Sequence, residues 1–311
     1  MDRVNLDERG QLLPPSCDPA HGEFKRTVKL TGKRPAVLVN ITLFILTIGT
    51  TLLAGALHQG VNPLEDPGQI VKGWPFSAAL LFILLSHEMG HYLVSRKNHI
   101  DATLPYFLPA PTLIGTFGAV IRMRSPVYNK RVLFDIGAAG PLAGVVVTLP
   151  ILIMGLKFSE VRMVESPVEG EIMLGSSLAL FFLTKVVLGN LPDTYHIILH
   201  PLGFAGWIGL LITSLNLMPV GQLDGGHISY AVFGKRAESI SRAVVVILLG
   251  LGIWGASMWL FWAILLLFMM GMKHPPPLDY EVSLDRKRKL IGAVTLLIFI
   301  VTFIPVPFGN V

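Results

Sequence analysis

The stretch Phe76-Ser77-Ala78-Ala79-Leu80-Leu81-Phe82-Ile83-Leu84-Leu85-Ser86-His87-Glu88-Met89-Gly90-His91-Tyr92-Leu93-Val94-Ser95 decides how the rest of the chain is read. At a helical rise of 1.5 Å per residue, a run of this length covers about 30 Å, the thickness of the hydrocarbon core of a bilayer. One carboxylate, two histidines and three serines interrupt its apolar character. His87 and His91 stand at i and i+4, so they share one face of a helix. Two imidazoles so placed can hold one zinc ion. Glu88, one position along, lies beside an open coordination position, where it can take a proton from water. An ionisable group inside an apolar helix is costly and reads as functional, the bland alternative being a buried polar cluster that ties a bundle together.

Composition extends this reading to the whole chain. Hydrophobic residues make up 52% of the 311 positions and charged residues 14%, with mean hydropathy +0.63. A soluble domain carries roughly 25% charged residues, so an ordinary cytosolic enzyme is excluded, as is a disordered chain. Apolar runs fall at about 36–57, 76–95, 132–156, 203–223 and 290–308, with a weaker one at 172–189. The run 242–272 is too long for one span. Gly252 and Gly255 break it, which predicts a tight helical hairpin. The expected fold is an all-α polytopic membrane protein with about seven transmembrane helices.

The net charge of +5 has a topological meaning here, because the basic residues sit in short segments beside apolar runs. No basic stripe interleaved with stacking aromatics is present, so nucleic acid is not an expected partner. Cationic groups are concentrated in the polar tail 1–35, in 96–131 and in 273–289, which places all three on the cytoplasmic side. Segment 157–171 is acidic on balance (Glu160, Glu165, Glu169 and Glu171 against Lys157 and Arg162) and belongs outside. The pattern closes if 172–200 does not cross fully. The sole cysteine, Cys17, excludes an internal disulfide and a cysteine-based zinc site.

Segment 101–131 differs from the rest. Pro105, Pro109, Pro111 and Pro126 alternate with Gly115 and Gly118, and Thr116 to Met123 reads as a strand. Such backbone at membrane depth must face protein or a water-filled cavity, so a re-entrant β-hairpin is expected, against the alternative of a surface loop.

Two histidines leave a zinc ion short of a protein ligand. A third histidine six residues on would fall at Lys97, and the next glutamate after the motif, Glu160, lies in the acidic segment. Candidates are Asp101, Asp135, Asp224, His196, His200 and His227. Asp224 is the best of them. It ends the string Asn216-Leu217-Met218-Pro219-Val220-Gly221-Gln222-Leu223-Asp224, in which Pro219 and Gly221 open the helix and can aim a carboxylate into the bundle. By the charge pattern this span ends at the same depth as the histidines. Asp135 is expected to serve as a helix-start carboxylate, and His227 to support Asp224.

HExxH in one span with NxxPxxxxDG in a later one resembles the site-2 protease family of intramembrane zinc metalloproteases. The form Gly221-Gln222-Leu223-Asp224-Gly225-Gly226-His227, without a PDZ insertion, is most similar to its PDZ-less branch. Gly140-Pro141-Leu142-Ala143-Gly144 resembles a glycine motif of the family's intervening core helix, and 116–123 its β-hairpin. The resemblance covers about 80–240. It implies His87, His91 and Asp224 as ligands of one zinc ion per chain, Glu88 as general acid and base, and Asn216 as a donor to the tetrahedral intermediate. Gly140 and Gly144 are expected to serve close packing of helices.

The expected activity is that of a zinc-dependent metalloendopeptidase, hydrolysing a peptide bond within or near a transmembrane helix of a protein substrate. Its partners are then that substrate and the lipid bilayer. A metal permease and an inactive scaffold of the same fold are the alternatives. The expected organisation is a polar tail 1–35, a membrane-embedded protease core 36–272 with its catalytic part at about 76–240, a basic cytoplasmic loop 273–289 and a C-terminal membrane helix 290–311. A prokaryotic cell membrane is the expected location, with the N-terminus cytoplasmic, and a chloroplast membrane also fits.

Overall fold

A computed structural model describes residues 37–63, 65–163, 172–192, 194–255, 257–269, 277–279 and 282–310. The tail 1–35 and most of the acidic segment 157–171 lie outside these residues, as do parts of 273–289. The described chain is predominantly helical, and three of its helical segments are long and apolar enough to cross a membrane: Val37–His58, Pro67–Lys97 and Lys130–Phe158. The first is α1. The second joins a 3-10 segment, Pro67–Gly73, to α2 (Trp74–Lys97), and the third is α3.

Between α2 and α3 the chain forms an antiparallel hairpin, β1 (Tyr106–Pro109) with β2 (Thr116–Val120). The expected strand is thus present, although regular pairing stops at Val120 and Met123 is held only by an isolated bridge to Ala102. The hairpin lies along α1 over most of its length. Asn40 Nδ2 donates to Leu104 O (3.1 Å) and Pro105 O (2.9 Å), Phe107 meets Phe44 edge-on at 4.8 Å, and His58 Nε2 lies 2.7 Å from Leu113 O. From Asn40 to His58 the helix advances by about 27 Å. The turns rich in proline and glycine therefore satisfy their polar backbone against a helix.

Helix α3 is the central element. Asn129 caps it, its side chain accepting from Val132 N at 3.0 Å, as an N-cap asparagine should. Its 29 residues pack against α2, against α5 (Pro201–Leu217) and against α6 (Asp224–Phe233). A Cβ added to Gly155 would fall 2.1 Å from Gly203 N, so α3 and α5 touch backbone to backbone there. The apolar core at this level includes the fully buried Phe76, Leu80, Leu152, Trp207 and Leu210. A second apolar cluster, with Phe134, Leu217, Tyr230 and Leu284, lies between α3 and α6.

The weak run near 172–189 becomes a short strand, β4 (Ile172–Leu174), followed by α4 (Leu178–Leu188). Eleven residues of helix extend about 16 Å, too little for a ~30 Å core. Strand β3 (Glu160–Met163) pairs with β5 (Tyr195–Ile198), and β4 pairs with β6 (Phe308–Asn310). The long run 242–272 folds as the expected hairpin, α7 (Ala237–Ile253) and α8 (Ser257–Met269). Gly255 takes φ +124° in the turn, and a Cβ on Gly252 would meet Leu260 N at 2.6 Å. The last helix, α9, is Arg286–Thr302 and so begins before the expected position 290.

One expectation is corrected, that for Asp135, and described residues of the segment 273–289 bond to the chain at 127–131. Leu278 N donates to Val127 O (3.2 Å), Asp279 N to Tyr128 O (2.7 Å), and Arg131 Nε to Ser283 O (2.9 Å). Asp135 is not at the start of its helix but in the second turn, and its partner is Arg288 of α9, at 2.8 and 2.6 Å in a bidentate pair. A guanidinium matches both oxygens of a carboxylate, so this half-buried pair outweighs any interaction of Asp135 with the helix dipole.

Candidate metal centre

The centre is built from three helices. On α2, the i, i+4 spacing stacks His87 and His91, both about 95% buried, toward α3. The break after α5 turns the chain at Met218 and restarts it as α6, of which Asp224 is the first residue. That restart carries the Asp224 carboxylate back to the histidines. Oδ2 lies 3.2 Å from His87 Nε2 and 3.2 Å from His91 Nε2, and the two Nε2 atoms are 3.1 Å apart. Among the described residues this is the only group of three or more metal-capable side chains.

These three donors fit a tetrahedral ion. Zinc with nitrogen and oxygen ligands at 2.0–2.2 Å needs donor–donor spacings of about 3.3–3.5 Å, close to the edges observed. His91 Nδ1 lies 2.7 Å from the Ile136 carbonyl oxygen. A carbonyl can only accept, so Nδ1 carries the proton and Nε2 keeps its lone pair for a metal. Two neutral imidazoles and one carboxylate bring a single negative charge. Glu88, 6% exposed on the adjacent position of α2, would bring a second when ionised, and the two would then balance a dication. The Glu88 carboxyl lies beside the backbone amide of Ile121, just beyond β2.

Helix α3 forms the opposite wall, and its glycines make room for the rings. A Cβ on Gly140 would fall 2.0 Å from His91 Nε2, and one on Gly144 would fall 3.3 Å from His87 Nδ1. The packing role expected of these glycines is thus a specific one, the housing of two imidazoles. Gly140→Ala is expected to push the His91 ring off its position and weaken metal binding at least tenfold, with a much smaller effect for Gly144→Ala. Metal titration against a competing chelator measures both.

Asn216, in the last turn of α5, places Nδ2 3.4 Å from His87 Nε2, at the edge of the same centre. The other candidates stand elsewhere. His196 is on β5 opposite Arg162, and His200 caps α5, its Nδ1 accepting from Leu202 N at 3.2 Å. Asp135 pairs with Arg288, and Asp101 lies 3.9 Å from both Arg96 and Arg124. His227 is on α6, its Cβ 2.9 Å from the position a Cβ would take on Gly137. The Ile136 carbonyl has no signal in the sequence, because any backbone carbonyl could play its part and only packing selects one.

Residues 75–254, more than half of the chain, match the model of peptidase family M50. The chain is 30% identical over 291 residues to the probable zinc metalloprotease EGY1, chloroplastic, of Arabidopsis thaliana, covering 86% of this chain and 53% of that protein. It is 33% identical over 237 residues to the protein of the same name from Oryza sativa subsp. japonica (74% and 40% covered). To the probable zinc metalloprotease EGY2, chloroplastic, of Arabidopsis thaliana it is 31% identical over 258 residues (82% and 46%). The chain spans about half the length of these curated relatives. The matched segment holds His87, Glu88, His91, Asn216 and Asp224 together, and on that match the chain belongs to peptidase family M50, the site-2 protease family.

Proposed function

We propose that this protein is an intramembrane zinc metalloendopeptidase that hydrolyses a peptide bond within or near a transmembrane helix of a protein substrate. The observation that carries the reading is the triangle of His87 Nε2, His91 Nε2 and Asp224 Oδ2, with Glu88 buried next to it on α2. Membership of the M50 family and the names of the relatives support zinc as the ion.

His87, His91 and Asp224 would hold the ion. When bound, zinc supplies Lewis acidity that makes a water acidic near neutral pH and polarises a carbonyl oxygen. Glu88 accepts the proton of the attacking water on its carboxylate and delivers it to the nitrogen of the leaving amine. Asn216 Nδ2 donates to the oxyanion as it forms. The Ile136 carbonyl keeps the proton of His91 on Nδ1 throughout.

A substrate helix hides its carbonyls in its own ladder, so it must unwind before it is cut. The hairpin β1–β2 would receive the extended strand along its edge, next to Glu88. The contacts from Asn40 to His58 favour a re-entrant hairpin over a surface loop. In this reading α1, α2, α3, α5, the two limbs of the apolar run 242–272 and α9 make seven crossings, with the tail 1–35 cytoplasmic, a core at 36–272 whose catalytic part is about 76–240, the segment 273–289 cytoplasmic, and the last membrane helix after it. The membrane is of prokaryotic or chloroplast type, and the names of the relatives favour the second.

The test uses the full chain in lipid nanodiscs with a panel of single-span peptides and mass spectrometry of the products. Cleavage inside or beside the span, lost on chelation and restored by zinc, is expected. Zinc flux across vesicles with no cleavage of any peptide would replace this reading with the permease.

A further inference from the structure

The segment that pairs with α3 from beyond residue 254 lies outside the part of the chain matched to the family. It touches α3 beside the residue whose backbone carbonyl meets His91. Arg288 Nε and one terminal nitrogen grip both oxygens of Asp135 at 2.8 and 2.6 Å. The next residue, Ile136, supplies the carbonyl that fixes the His91 ring. The residue after that, Gly137, lies against α6, where an added Cβ would be 3.1 Å from Asp224 O. Three consecutive positions of α3 thus face Arg288, His91 and the helix that bears Asp224.

The helix ladder does not hold this stretch unaided. Pro141 lies inside α3 and has no N–H for the Gly137 carbonyl, four residues before it, so the ladder lacks a rung at this level. The rung lost belongs to Gly137, next to Ile136, and contacts from the C-terminal segment brace this turn of α3 alongside those of α2 and α6. Arg131 Nε donates to Ser283 O, Leu284 joins the apolar cluster of Leu133 and Phe134, and the Phe134 ring packs against Gly292. Asp285 caps α9 by accepting from Arg288 N at 2.9 Å and also contacts the Arg288 guanidinium, which holds that side chain in its gripping rotamer.

We infer that Arg288 is a positioning residue for the metal centre: through its bidentate pair with Asp135 it sets the Ile136 carbonyl, and through that carbonyl the orientation and tautomer of His91. The inference rests on the metalloprotease reading, since it needs His91 to be a metal ligand. Outer partners of metal-bound histidines tune affinity by about 10–100-fold. The distance from α9 to His91 is bridged by one ion pair and one hydrogen bond, both on the same turn of α3.

The experiment compares full-length wild type with Arg288→Ala, Arg288→Lys and Asp135→Asn in detergent. It reads zinc affinity against a competing chelator, and the d–d spectrum after cobalt substitution, which reports ligand geometry. Arg288→Ala and Asp135→Asn are expected to bind zinc about tenfold or more weakly and to shift the cobalt bands. Arg288→Lys keeps the charge but loses the fork, and is expected to fall between them and wild type. Trp259→Phe loses the bond from Trp259 Nε1 to Pro305 O at the far end of α9. It should lower thermal stability without moving zinc affinity or the cobalt bands. Unchanged affinity and spectrum in Arg288→Ala overturns the inference while leaving the metal centre in place. Where Arg288→Ala does not fold, unchanged values in Arg288→Lys overturn it equally. A wild type that binds no zinc overturns the metalloprotease reading, and this inference with it.

Discussion

Glu88→Gln is expected to retain about one zinc per chain and to lose cleavage by three orders of magnitude or more. The substitution preserves the shape of the side chain and exchanges one carboxylate oxygen for an amide. Packing in the buried position beside Ile121 therefore has little reason to change. What disappears is a group that can accept and return a proton. General acid–base catalysis contributes about 10²–10⁴ in rate when one proton transfer is involved, and Glu88 is asked to serve two, at the water and at the leaving amine. The measurement pairs metal content with turnover of a peptide cut by wild type. Wild-type turnover in a zinc-loaded Glu88→Gln would remove Glu88 from the chemistry. Loss of zinc together with activity would mean that Glu88 holds the centre together rather than moving protons.

Asp224→Ala is expected to lose zinc, with affinity lower by at least a hundredfold. The carboxylate supplies one of three donors and the only negative charge among them, at 3.2 Å from each imidazole nitrogen. Two histidines alone hold zinc weakly. A hundredfold corresponds to about 2.7 kcal/mol, modest for a charged ligand in a buried site. The fold should persist. Asp224 opens α6, where its charge favours the helix terminus by only about 0.3–1 kcal/mol, and the close packing of α6 is carried by Gly225, Gly226 and Ile228. Circular dichroism and zinc stoichiometry on one preparation separate the two effects. A folded variant with unchanged zinc would assign the third ligand to another residue, and His227, one turn along α6, would be the first to replace.

Features that depend on neighbours in the chain are legible from residue type and spacing. The pairing of His87 with His91 follows from 3.6 residues per turn. The apolar character of the α1, α2 and α3 segments follows from composition, and the α7–α8 hairpin from two glycines in an overlong run. Asp224 is legible for a subtler reason. Pro219 and Gly221 end a helix at a depth that charge bias in the flanking segments assigns independently. The hairpin is visible as proline and glycine punctuation around the strand at Thr116.

Tertiary packing decided the rest, because it joins residues whose partners no local pattern names. Asp135 reads as a helix-start charge by its place in the chain, yet Arg288, 153 positions later, holds it. The segment 273–289 reads as a basic loop by composition, and within it Leu278 N, Asp279 N and Ser283 O bond to residues 127–131, which no local pattern announces. Ile136 contributes a carbonyl, a group that every residue possesses, and Gly140 contributes an absence of side chain that matters only because an imidazole arrives from another helix. The sequence by itself thus determined which residue types could offer donors and the apolar segments that carry them, since both depend on residue type and spacing within a segment. Only the tertiary structure decided which backbone oriented those donors, because that selection is made by contacts between helices far apart in the chain.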